Sequence, residues 1–193
     1  MVWKHFFKKP APGPASNLGW IAPLVVLASL TGSAHAQKTD KTADLGQQIG
    51  KASGLPIPRY VSLKFARVNL RQGPSRDHQT LWIYERKGLP VEVTAEAEIW
   101  YRIRDSSGTE GWVLHSQLSG QRTVLIAPWK KAEALNLYAS ASSDSAVTAK
   151  LQVNVIANVK SCDGKWCHIF GSGYTGYMQQ QNLWGVYPNE QVN

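Results

Sequence analysis

Apolar and polar positions alternate with a period near two in Pro90-Val91-Glu92-Val93-Thr94-Ala95 and again in Gln152-Val153-Asn154-Val155-Ile156-Ala157. That period marks a strand with one face in a core and the other toward water. Turn formers separate such runs at Gly73-Pro74, Lys87-Gly88, Ser107-Gly108, Asp163-Gly164 and Gly171-Ser172-Gly173. After residue 59 no stretch keeps a 3.6-residue apolar period for more than two turns. The pattern predicts short strands and no long helix.

The strands come in two sets. Val68-Asn69-Leu70-Arg71 is answered 67 positions later by Leu135-Asn136-Leu137-Tyr138, and Trp100-Tyr101-Arg102-Ile103 is answered by Trp166-Cys167-His168-Ile169 at a shift of 66. Gly111-Trp112-Val113 with Leu118 corresponds to Gly176-Tyr177-Met178 with Leu183 at a shift of 65. A shift this constant over three blocks is an internal repeat. It predicts an all-β chain of two tandem, partly open barrels, residues 59–127 and 128–187, with 188–193 as a tail. Pro128-Trp129-Lys130-Lys131-Ala132-Glu133 reads as the joint between them. Short 3₁₀ turns are expected at His115-Ser116-Gln117-Leu118 and Gln180-Gln181-Asn182-Leu183. A core of about 60 residues is marginal alone, so the two units are expected to pack together.

These blocks resemble the bacterial SH3-like domains of exported proteins, in particular short secreted proteobacterial proteins made of a signal and two such repeats. The residues that carry the resemblance are Ala66-Arg67-Val68-Asn69-Leu70-Arg71-Gln72-Gly73-Pro74, Trp100-Tyr101-Arg102-Ile103 and Gly111-Trp112-Val113 with Leu118, and it extends over about residues 60–186. The second repeat departs at Tyr138-Ala139-Ser140, where the Arg-x-Gly-Pro turn is missing. The resemblance implies SH3-like barrels and binding of cell-wall peptide or of an envelope protein partner, often as a targeting module beside a hydrolase. It favours the periplasm over free secretion.

The N-terminal region adds an address. Lys4, Lys8 and Lys9 precede an apolar run from Leu18 to Leu30, which ends in Ala34-His35-Ala36. This order predicts an export signal, residues 1–36, cleaved after Ala36. As a helix the run would rise roughly 20 Å against about 30 Å of hydrocarbon, so no transmembrane segment is expected in the mature protein. Residues 37–58, rich in Lys, Thr, Asp, Gln and Gly up to about Lys51, read as a flexible linker. The whole chain carries +8; past residue 36 there remain 18 basic and 13 acidic residues, a net +5. There is no block of five like charges and no zinc-finger spacing, so this balance suits an anionic envelope surface and gives no sign of a nucleic-acid partner.

Candidate chemistry is sparse. A nucleophilic set of Cys167, His115 and Asp163 lacks any spacing that puts a base beside a thiol, and Cys162, Cys167 and His168 fall short of the four ligands of a structural zinc site. No catalytic residue, metal site or cofactor is assigned. In an oxidising compartment Cys162 and Cys167 pair as a disulfide if Asp163-Gly164-Lys165-Trp166 forms a four-residue hairpin loop that sets them opposite each other. A two-residue Asp163-Gly164 loop would instead oppose Cys162 to Lys165 and separate the sulfurs. Six Trp and seven Tyr lie beyond residue 36. Trp100, Trp112, Trp166 and Tyr177 read as largely buried. Tyr84, Tyr101, Tyr138, Tyr174 and Trp184, with Arg71, read as the lining of a ligand groove for an extended peptide. Three functions follow: a non-catalytic envelope binding module, an assembly subunit of a larger envelope complex, or a hydrolase with an unfamiliar site. Oligomeric state is left open.

Overall fold

The computed structural model describes residues 48–131 and 134–193. The expected export signal and the first part of the expected linker lie outside the described residues. A hairpin of β1 (Gln48–Ile49) and β2 (Pro56–Ile57) leads into β3 (Arg59–Leu63), β4 (Val68–Arg71), β5 (Thr80–Tyr84), β6 (Pro90–Ala97), β7 (Trp100–Arg104), β8 (Glu110–Leu114) and β9 (Leu118–Ser119). These last seven form one antiparallel sheet in the order β5-β4-β8-β7-β6-β3-β9. The chain then runs through β10 (Thr123–Ile126), β11 (Ala134–Tyr138), β12 (Val147–Gln152), β13 (Ile156–Asp163), β14 (Trp166–Gly171), β15 (Tyr174–Gln179) and β16 (Leu183–Trp184), ending in β17 (Gln191–Val192). Their order is β12-β11-β15-β14-β13-β10-β16, with β17 paired to β13. The second order is the first with seven added to every strand. The two units therefore share one topology, as the repeat predicts, and both sheets curl into partly open barrels.

Each sheet closes over its own apolar cluster. Val68, Leu70, Val91, Val93, Ile103 and Val113 fill the first, and Leu137, Ala157, Ile169, Met178 and Leu183 fill the second. The repeated glycine before Trp112 and Tyr177 has a packing cause. A Cβ on Gly111 would stand 2.7 Å from Leu70 Cγ and 2.8 Å from the Arg71 carbonyl, and one on Gly176 would stand 2.6 Å from the Tyr138 carbonyl. Only glycine lets β8 reach β4, and β15 reach β11, so closely. The two expected 3₁₀ turns are present at His115–Gln117 and Gln180–Asn182.

Three boundaries differ from expectation. Thr123–Ile126 is buried throughout and pairs with β13 and β16, so the second barrel begins at Thr123 and the joint is Gly120-Gln121-Arg122. The short apolar run fits either sheet by pattern, and only pairing with Leu183 and Trp184 decides. The part of the expected linker from Gln48 on is folded, because Ile57 enters the first core and the Gly50–Ser53 turn is held by a carboxylate from β6. Glu96 accepts from Ser53 Oγ at 2.6 Å, from the Ala52 and Ser53 amides at 3.0 Å, and pairs with Arg59 at 2.8 Å. The expected tail contributes β17, and its Glu190 takes a bidentate contact from Arg122 at 2.8 and 3.1 Å.

The barrels pack on each other through Tyr60 of β3, whose ring lies 5.3 Å from that of Trp184, edge-on, and 4.6 Å from that of Tyr187. Polar contacts lock the seam. Thr123 Oγ1 donates to the Gly88 carbonyl at 2.8 Å, Arg86 to the Asn154 carbonyl at 2.7 Å, and Tyr187 OH to Glu92 Oε1 at 2.9 Å. Glu92, only 2% exposed, also takes Arg104 Nε at 2.8 Å on its other oxygen.

The cysteines settle between the two hairpin readings. Cys162 stands directly opposite Cys167 with Cα atoms 4.1 Å apart, and they form a disulfide inside the second core. Asp163 Oδ1 accepts the Lys165 and Trp166 amides at 2.8 and 2.7 Å, which shapes the tip and holds the Asp163 carboxyl below its ordinary range.

Burial alone would raise the Glu96 carboxyl, but the hydrogen bonds from Ser53, Arg59 and Ala52 outweigh it and leave it below its ordinary 4.5. A depressed carboxyl stabilises the fold fully above its unfolded value and loses that contribution as pH falls through the folded one. Urea denaturation should therefore show stability falling as pH drops below about 5, and Glu96→Gln should shrink that fall while lowering stability at pH 7. Reducing Cys162–Cys167 should cost about 2 kcal/mol in the same assay, because so short a loop removes little unfolded-state entropy. Unfolded, unreduced monomer should show no reactive thiol.

Candidate functional site

Alternation in the strands sends every second side chain away from the core. In β4 and β11 the outward residues are Asn69 and Arg71, and Asn136 and Tyr138; in β8 and β15 they are Trp112 and Leu114, and Tyr177 and Gln179. The ladders align these into rows across three strands. Arg71, Trp112 and Arg102 stand abreast on the first barrel, and Tyr138, Tyr177 and His168 on the second. One step along, Leu114 lies opposite Trp100 and Gln179 opposite Trp166. The same face of each barrel thus carries aromatic side chains at matching positions.

On the second barrel the rings form a cluster. His168 stacks on Tyr177 with ring centres 4.6 Å apart and planes 16° from parallel, and Tyr138 meets Trp166 edge-on at 5.6 Å. His168 Nε2 is 3.0 Å from Thr175 Oγ1, which fixes the imidazole plane. Trp166 walls two clefts. One, of about 390 Å³, is also lined by Ser161, Asp163, His168 and Tyr177; the other, of about 520 Å³, runs past Lys165 and Pro188 to the exposed Trp129. Burial, and then Lys160, lower the His168 pKa below 6.5, so the ring is neutral at pH 7 and presents a flat, uncharged surface beside Tyr177. Flat rings with polar edges bury area against an extended peptide without demanding one register.

On the first barrel the face is smaller and basic. A notch of about 220 Å³ is lined by Asn69, Arg71, Arg76, Trp100, Leu114 and Gln117. Arg71 is held there by its own loop, with Nη1 donating to the Arg76 carbonyl at 2.9 Å and to the His78 carbonyl at 2.8 Å.

The expected groove divides. Arg71 and Tyr138 occupy the same position in the two barrels and belong to these faces. Tyr84 does not: it is buried in the first core and its OH donates to Asp105 at 2.9 Å, so burial, and then Asp105, push its pKa up. Tyr101 packs on the first core beneath the Arg59 guanidinium, 5.3 Å from the ring centre. Tyr174 packs on the second core and donates to the Ile156 carbonyl at 3.3 Å. Trp184 lies in the seam, its indole donating to the Pro90 carbonyl at 3.4 Å. Of the rings expected in the core, Trp100 is buried, whereas Trp112, Trp166 and Tyr177 are half-buried on the outward face. Parity carried that signal: Trp112 precedes the buried Val113 and Tyr177 the buried Met178, so neither shares its neighbour's face. The disulfide takes both sulfurs out of thiolate and metal chemistry.

The family model of the bacterial SH3 domain matches residues 64–120 and 131–185. These stretches make up more than half of the chain, which belongs to the bacterial SH3 domain family. Domains of this family are generally cell-wall-binding modules. Among solved structures the chain is similar to NlpC2 from Trichomonas vaginalis, at 15% identity over 66% of this chain and 48% of that one, with a TM-score of 0.29. It is also similar to NlpC1 from the same organism, at 15% identity over 70% and 48%, with a TM-score of 0.30. The chain spans about half the length of each. No curated protein matches it. Among the described residues no helix is long and apolar enough to cross a membrane.

In an NMR titration the His168 ring should change charge below 6.5. Lys160→Ala should move that midpoint upward, with burial, the larger cause, still holding it under the ordinary value.

Proposed function

We propose that the protein is an exported, non-catalytic binding module of the cell envelope that recognises cell-wall peptide through the outward faces of its two barrels. The observation that carries this reading is the repeated row of side chains, Arg71-Trp112-Arg102 on one barrel and Tyr138-Tyr177-His168 on the other. Membership in a family of wall-binding domains supports it. The Cys162–Cys167 disulfide and the export signal read at residues 1–36 support an oxidising compartment outside the cytoplasm, and the family resemblance favours the periplasm over free secretion.

One observation favours an assembly role beside this one. The edge strand β5 exposes Leu81, Trp82 and Ile83 in succession, at 47, 58 and 37%. An open edge with such a run invites a protein neighbour.

Retention on purified sacculi tests the main reading. The chain from Gln37 on should be retained, and Tyr138→Ala with Tyr177→Ala should weaken retention by about tenfold or more, since each lost aromatic contact is worth about 1 kcal/mol. Trp82→Ala should leave it unchanged. A chain that neither sacculi nor envelope extract retains would refute the proposal.

A further inference from the structure

We propose that the notch of the first barrel is a carboxylate site that takes the free C-terminal carboxylate of an extended peptide. The inference rests on the protein's being a peptide-binding module, and it assigns to one barrel a chemistry the other lacks.

The distribution of arginine charge is the starting point. Arg59, Arg102, Arg104 and Arg122 are each neutralised by a glutamate: Glu96, Glu110, Glu92 and Glu190. Arg67, Arg71, Arg76 and Arg86 have no carboxylate partner among the described residues, and of these Arg71 and Arg76 line the same notch. The acid nearest in sequence, Asp77, accepts the Ser75 hydroxyl at 3.0 Å and is not part of the lining. Arg71 is nevertheless held in place. Its Nη1 is bound by two backbone carbonyls of the loop it closes, which orient the guanidinium without cancelling its charge. Its remaining N–H groups have no partner among the described residues. A fork of donors that is already oriented loses little freedom when it binds a carboxylate, and such charge-assisted pairs are about twice as strong as neutral ones.

The rest of the lining completes the site. The Asn69 and Gln117 amides add neutral donors, and Trp100 and Leu114 complete the lining. A space of about 220 Å³ holds roughly seven waters. That suits a terminal residue with a small side chain. Trp112, opposite Arg71 on the ladder, is placed for the preceding residues to lie on. The second barrel has Tyr138 where the first has Arg71, and Gln179 where it has Leu114, so its face offers rings and no guanidinium.

Isothermal titration of the chain from Gln37 on with diacetyl-Lys-D-Ala-D-Ala and with its C-terminal amide tests this. The free acid should bind about tenfold or more tightly than the amide, and Arg76→Gln should bring the ratio close to one. Arg71→Gln should do the same. Because Arg71 also closes its loop, Arg76→Gln, which leaves those backbone contacts in place, is the deciding variant. Equal binding of acid and amide, or no binding of either, in a protein that sacculi still retain would overturn the carboxylate site and leave the module reading standing. Loss of retention on sacculi would count against the module itself. Inorganic phosphate that displaces the acid at equal concentration would show a general anion site and overturn the assignment to peptide.

Discussion

A single buried carboxylate sets the relation between the two barrels. Glu92 sits on β6 with almost no exposure, and a charge taken out of water must find partners at once. It finds them on both sides of the seam: Arg104 from its own sheet and the Tyr187 hydroxyl from the other barrel. Burial, then Glu92, push the Tyr187 and Tyr60 phenols upward, so both stay neutral and Tyr187 remains a donor. Removing one partner from such a charge costs about 3–5 kcal/mol, far more than an exposed pair contributes. The apolar contacts of Tyr60 with Trp184 and Tyr187 supply area at the seam, while Glu92 supplies the register.

That seam determines which surfaces remain for ligands. Tyr60, Trp184 and Tyr187 are consumed in it, so their rings are structural. The faces built by β4, β8 and β7, and by β11, β15 and β14, carry the remaining outward aromatics. Because both sheets follow one strand order, a substitution in one repeat can be compared with its counterpart at the same place.

The comparison shows the repeats diverging in chemistry on an unchanged frame. Where the first has Arg71, Trp112 and Arg102, the second has Tyr138, Tyr177 and His168. The first row carries the Arg71 charge, while the second sets two phenol rings beside an imidazole that is neutral at pH 7. The missing Arg-x-Gly-Pro turn in the second repeat belongs to the same change. Without an arginine to organise the loop after β11, the short Ser140–Ser145 contacts close that turn instead. The disulfide, which repeat one lacks, steadies the hairpin whose tip borders both clefts at Trp166.

Local pattern sufficed for the strands, the repeat, the 3₁₀ turns and the family, because period and turn chemistry are short-range properties of the chain. It also brought the two cysteines within reach of each other, since only five positions separate them. Partner choice was different. Thr123–Ile126 reads equally well as the end of one sheet or the start of the next, and pairing with Leu183 and Trp184 across some 60 residues assigned it. Gln48–Ile57 has a linker's composition and is folded because Glu96, more than 40 residues away, binds its turn. Tyr84, Tyr174 and Trp184 look like exposed rings at strand ends, and each is covered or engaged by a remote neighbour. A side chain's burial depends on what packs over it, and for these residues that cover comes from distant parts of the chain.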